Sequence, residues 1–267
     1  MKNDGTPQLE SLKVHTNGKI GYIMLNRPKR YNALGATVLK ELVLAANWFD
    51  TQREIRVVIV KGEGNVFSAG ADLKDPIFAD MDKVDWLTRR EMGQLGHKMA
   101  VAIESMRAIT IAQVERFAIG GGLVLMMACD LRVAEKDTIF SIPEVDIGIP
   151  LAWGGIPKLV REIGPAMTKE LVMTCRKFTT VEAQSLRILN RVVPKEELDK
   201  TCLDLAHSIT SKPIVPIVIT KEHVNAVVAT MGQESSSIAD GDVLNGIVKD
   251  PDSEKAMMDY VKKVLQK

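Results

Sequence analysis

The chain has 267 residues and a formal net charge of +1, with 46% hydrophobic and 26% charged residues. That is enough chain for one large domain, or a core with a small appendage, and the near-zero charge removes the electrostatic case for nucleic acid or an anionic membrane. Cys129, Cys175 and Cys202 form no CxxC pair, and His15, His97, His207 and His223 lack ligand spacing. Neither a disulfide framework nor a metal site is indicated. No uninterrupted apolar run reaches the ~18 residues of a membrane span. The short polar start, Met1 to Pro7, has no apolar leader. The expectation is a soluble, cytoplasmic protein.

Leu12 to His15 and Ile20 to Leu25 alternate around Asn17-Gly18, a strong hairpin signal. A loop through Asn32 leads to an amphipathic helix over 36–50, and Arg56 to Lys61 reads as a strand buried on both faces. The small-residue turn Phe67-Ser-Ala-Gly-Ala-Asp-Leu-Lys74 closes that strand. One long helix is predicted from Met81 to Met106, bent near Gly93 or Gly96. The strand Thr110 to Val114 enters a triple-glycine turn, Gly120 to Gly122, and a wholly apolar helix follows. Short strands are expected at 131–134 and 138–140, then helices over 154–163 and 165–174. Thr179-Thr-Val-Glu182 has the capping-box pattern, and Arg191 to Pro194 is the last strand. Beyond it the pattern is helical, at 197–211, 214–230 and 252–266. Strands separated by helices define an α/β class with mostly parallel connections.

Two glycine turns at helix-entry positions can aim two N–H groups at one oxygen. Ala71 and Gly121 are the candidate donors of an oxyanion hole, with the field of the helix that Gly121 opens behind it. Glu144 lies in the apolar run Ser141 to Gly155, where burial would raise its pKa toward the range useful for proton transfer. A loop glutamate on the surface is the competing reading. Asp146 fits a structural hydrogen-bonding role, Asp72 a capping role, and Met126 and Met127 core filling. Trp153 would ordinarily be core, but next to Gly154-Gly155 it can wall a ligand cavity.

With these residues assembled, the chain resembles the crotonase (enoyl-CoA hydratase/isomerase) superfamily over nearly its whole length. Five blocks carry the resemblance in the right order: Ile23 to Pro28 with Asn32-Ala-Leu34, Phe67 to Lys74, Ile119 to Gly122, Phe140 to Gly155, and Glu182-Ala183 with Asn190 to Pro194. The resemblance implies a crotonase-type spiral of repeated ββα units over 1–195. A C-terminal helical region, 196–267, would then oligomerise the chain and complete the coenzyme A site. It also implies a CoA thioester substrate with no separate cofactor, and homotrimers or dimers of trimers. Ala71 and Gly121 would bind the thioester oxygen, and Glu144 would be the acid/base. Ala69, Asp72 and Leu73 would line the CoA channel, with Lys29 or Arg30, and Tyr260 and Lys263 of the last helix, completing it.

Several positions depart from the family pattern. Two-base hydratases carry a glutamate where this chain has Val124, so one carboxylate acts alone, in double-bond isomerisation or by activating water. A hydratase-lyase on an aryl-conjugated acyl-CoA, or a silent acyl-CoA-binding relative or assembly subunit, are alternatives. Leu123, Val124 and Trp153 suggest a dry pocket for a bulky substrate. Arg116 and Arg187 stand where glycines are usual, and Ile109 where a proline is. A serine hydrolase lacks a nucleophile beside the glycines and a histidine in either turn, and no GxGxxG pattern supports a dinucleotide.

Overall fold

The alternating segments close as an antiparallel hairpin, β1 (Leu12–Asn17) and β2 (Ile20–Leu25), with Asn17 opposite Ile20. Gly18 lies in the turn at φ +60, in the left-handed region that glycine adopts without strain. The computed structural model describes residues 5–75, 83–231, 237, 239–247 and 249–265. Strands β3 (Val57–Gly62), β4 (Ile109–Val114), β6 (Leu131–Glu135) and β9 (Arg191–Val193) extend the hairpin in parallel, giving the order β1-β2-β3-β4-β6-β9. A smaller sheet pairs β5 (Phe117–Ile119), β7 (Ile139–Ser141) and β8 (Phe178–Thr179).

Helix α1 is Ala36–Thr51, α2 Trp86–Gly93, α3 Leu95–Ser105, α4 Gly121–Ala128 and α5 Gly155–Thr174. The repeated unit is now visible. Strand β4 feeds β5 and α4, and β6 feeds β7 and α5. In the preceding unit β3 feeds a segment whose Ser68 bridges Ala118 of β5, and then α3. This is the spiral of ββα units that the resemblance implies. The main core lies between the large sheet and α1, α3 and α4, with Phe49, Leu42, Ile103, Val60 and Leu123 fully buried. The other sheet face buries Ile59, Ile111 and Val133 against Leu198, Cys202 and Ala206 of α7 (Lys195–Thr210). Covering both faces is why β3 and β4 read as continuous apolar runs rather than alternating ones.

Three departures from the expected elements have local causes. The single helix expected over 81–106 is two, α2 and α3, separated at Gln94, where a Cβ on Gly93 would stand 3.1 Å from the Gly241 backbone. The start of that expected helix lies outside the described residues. Helix α6 (Thr180–Ser185) is capped by Thr179 Oγ1, which accepts from Glu182 N–H at 3.4 Å. The second half of the capping box is not made, because Glu182 pairs with Arg176 instead. Helix α8 is Ile214–Met231 and α10 is Pro251–Leu265; between them α9 (Asp240–Ile247) was not expected, its sequence being short and polar.

The unusual residues also find their backbone reasons. Arg116 and Arg187 adopt φ +61 and +63, left-handed conformations that ordinarily favour glycine. Arg116 stacks its guanidinium over Tyr31 and Phe117. Ile109 donates its N–H to Arg56 O at 2.9 Å, a bond a proline could not make.

Among the described helices, α8 is long and apolar enough to cross a membrane by length and composition, and it is mostly exposed. A buried ion pair fastens it to the core. Lys221 Nζ meets Asp130 Oδ2 at 2.7 Å and donates to Ala108 O at 3.0 Å, while Thr110 N–H and Oγ1 also donate to that carboxylate. Asp130→Ala strands the buried Lys221 charge and is expected to lower the unfolding free energy by about 3–5 kcal/mol in urea titrations. Lys221→Met removes the charge together with its desolvation cost and is expected to lose much less.

Candidate active site

The first turn is held by its neighbours' backbone. Leu34 N–H donates to Gly70 O at 2.7 Å and Asp72 N–H to Leu34 O at 3.2 Å, so residue 71 is the centre of a parallel bridge. Extended backbone alternates its polar groups, so the Ala71 N–H points away from that bridge. Asn32, 1% exposed, clamps this loop: its side-chain amide donates to Glu63 O and Val66 O, and its backbone carbonyl accepts from Ser68 Oγ. Gly70, at φ +88, lies so close to β5 that a Cβ there would stand 3.3 Å from Gly121 N.

The second turn starts from Gly120, at φ +49 and ψ −118, whose N–H donates to Ser141 O. Gly121 is the first residue of α4, so its N–H has no acceptor within the helix. A side chain at 120 would overlap the Glu144 carboxyl, one at 121 the Trp153 indole, and one at 122 the Ser68 backbone. The glycine triplet is thus required by three different neighbours. Ala71 and Gly121 line one cavity of about 430 Å³ together with Glu144, Val124, Trp153 and Tyr260.

Glu144 is 9% exposed, and its Oε2 has no hydrogen-bond partner among the described residues. Burial pushes its pKa up to about 7, against only weak lowering by its own backbone. A carboxyl that titrates near neutrality can both take and return a proton. Trp153 holds φ +59 and wedges its ring between Gly96 and Gly121, walling the cavity on the side of α3.

The structure separates the remaining expected residues. Leu73 lines the cavity, with Lys74 exposed near it. Asp72 is buried and engaged by Arg27 at 2.8 Å and by Arg30 at 3.5 Å, so it braces the turn rather than lining the cavity. Ala69 gives its N–H to Tyr31 O on the outer side of the loop, near exposed Lys29 and Arg30. Lys263 is exposed and outside the cavity, whereas Tyr260 faces into it. Leu123 needs correction: it is fully buried in the main core and does not line the cavity, because helical spacing puts 121 and 124 on the cavity side and turns 123 inward. Asp146 is exposed beside the Glu144 turn.

Sequence reasoning missed the cover of the cavity, Met92 of α2 and Leu244 and Asn245 of α9. Asn245 is 1% exposed. Gly241, Asn245 and Gly246 make that stretch read as a turn, so no sequence signal marked a helix there.

The structure is thus an α/β spiral whose two glycine turns and one buried carboxyl line a single cavity. The family model for enoyl-CoA hydratase/isomerase matches residues 15–266, and the chain belongs to that family. It is 33% identical to a short-chain-enoyl-CoA hydratase of Clostridium acetobutylicum over 219 residues, 82% of each chain. It is equally 33% identical to a mitochondrial Delta(3,5)-Delta(2,4)-dienoyl-CoA isomerase of Pongo abelii, covering 79% of this chain and 67% of that one. A solved structure of a probable enoyl-CoA hydratase from Mycobacterium thermoresistibile superposes with a TM-score of 0.80 at 27% identity, covering 92% of this chain and 96% of that one.

The buried carboxyl has a consequence for stability. The native state keeps the Glu144 proton up to about pH 7, whereas the unfolded chain releases it near the ordinary value of 4.5. The native state therefore binds more protons between those values, and stability falls as pH rises through that window. Glu144→Gln is expected to match the parent near pH 4 and to exceed it above pH 7, by up to about 3 kcal/mol in denaturant titrations.

Proposed function

We propose that this protein adds water to the double bond of an enoyl-CoA. Ala71 and Gly121 N–H groups hold the thioester oxygen, and Glu144 is the sole acid/base. The observation that carries this reading is the unpartnered, buried Glu144 carboxyl lying against Gly120, beside two turns that present N–H groups to the same cavity. Negative charge that develops on the thioester oxygen would meet two fixed donors and a helix N-terminus, at no reorganisation cost. The chemistry needs no cofactor beyond the CoA that the substrate carries. Leu73 and Lys74 would flank the pantetheine arm, with Ala69, Lys29, Arg30 and Lys263 on the outer surface that the CoA head crosses.

Val124 favours a second reading, double-bond isomerisation, in which Glu144 takes a proton from one carbon and returns it to another. Both readings demand an ionised Glu144 in the free enzyme. Activity, as kcat/KM on a panel of enoyl-CoA esters, is expected to rise with pH and level off above about 7. Glu144→Gln should abolish turnover while CoA-ester binding, measured by calorimetry, persists. Full activity in that variant would overturn the mechanism.

A homotrimer or dimer of trimers is the assembly we infer, with α8 at its contact. Val215, Ile219, Val224, Val227 and Met231 are exposed along it. Lys221, Glu222 and His223 midway along the helix favour a protein neighbour over a bilayer. Val227→Asp is expected to shift the mass in analytical ultracentrifugation toward the monomer, and an unchanged mass would remove α8 from the interface.

A further inference from the structure

Val124 leaves the hydration reading one group short, because Glu144 must move a proton while something else holds the water in line. The cavity wall opposite α4 has a group of the right kind. Helix α10 docks on the turn that follows Glu144, with the Ser253 carbonyl so close to Gly148 that a side chain there would overlap it. From that anchor the half-buried positions recur at Ala256, Met257, Tyr260 and Val261, one helical face, and the last three line the cavity. Among the described lining residues Tyr260 is the only hydroxyl. Of the other polar lining groups, Asp75 accepts the Ala36 N–H at the start of α1, Lys74 is exposed, and Asn245 sits in the α9 cover with its Nδ2 against the Arg89 carbonyl and its Oδ1 unpartnered among the described residues. Burial, followed by the nearby charges of Glu144 and Asp146, raises the Tyr260 pKa, so the phenol stays neutral and can both accept and donate.

We propose that the Tyr260 hydroxyl holds the attacking water against Glu144, taking over the task of the acid absent at Val124. This rests on the hydration reading. The water donates one hydrogen bond to the Glu144 carboxylate and the other to Tyr260 Oη. As its oxygen bonds to C3, its proton passes to Glu144 and the double-bond pair moves into the thioester, giving an enolate held by Ala71 and Gly121. The enolate takes that proton back from Glu144 at C2. Water has then added across the bond, Glu144 is again a carboxylate, and Tyr260 has gained and lost nothing.

The test compares the parent, Tyr260→Phe and Glu144→Gln as intact oligomers in two assays: hydration of crotonyl-CoA, and exchange of the C2 hydrogens of butyryl-CoA with deuterated water. Exchange needs Glu144 and the oxyanion donors but no added water. Tyr260→Phe is expected to lower kcat for hydration by about 100-fold with KM unchanged, and to exchange C2 hydrogens at the parent rate. Glu144→Gln should lose both reactions. Hydration at the parent rate in Tyr260→Phe overturns the water-holding role while leaving Glu144 in place. Loss of both reactions in Tyr260→Phe makes its part structural and equally overturns it. A parent that exchanges but does not hydrate overturns the role and leaves isomerisation. Survival of both reactions in Glu144→Gln overturns the reading beneath it.

Discussion

Everything in the site depends on one backbone contact, the parallel bridge by which Ser68 lies along Ala118 of β5. Ser68 N–H reaches Phe117 O and Ile119 N–H reaches Ser68 O, so two turns from different repeats of the spiral are joined by main-chain hydrogen bonds. Such bonds use no side chain and tolerate little displacement. They hold the Ala71 and Gly121 turns together, and the glycines at 70 and 122 let the two backbones come that close. A site built this way tolerates wide change in sequence and little change in path.

Onto that frame the fold adds one liability. Glu144 is placed in an apolar wall with an oxygen left unpaired, which raises its pKa and costs stability wherever it ionises. The same environment brings its titration to about 7, the range that the proposed proton transfer needs. The stacked Arg116 and the left-handed Arg187 are smaller strains of the backbone kind, and the structure assigns neither to the cavity.

Much of this was legible in the residues. Apolar runs bounded by glycines located the strands, and the two glycine turns named both N–H donors. A carboxylate in an apolar run named Glu144, because burial of an acid is informative wherever it occurs. What failed was set by contacts between distant segments and by direction. α2 and α3 part at Gln94, beside the backbone of Gly241, and α9 is short and carries Gly241, Asn245 and Gly246, which read as a turn. Leu123 and Val124 are neighbours of like character, and only the direction in which each leaves the helix separates core from cavity.

The sequence by itself determined the family, the strand and helix grammar, the two glycine turns and the position of Glu144 in an apolar run, because each is written in residue types whose chemistry is local. Tertiary structure alone decided which face of α4 meets the cavity, that Asp72 braces a turn, and that Tyr260 lines the same cavity as Glu144 from more than a hundred residues further along the chain. Those outcomes follow from how helices pack across the spiral, and packing is a property of pairs of segments that neither segment's pattern contains.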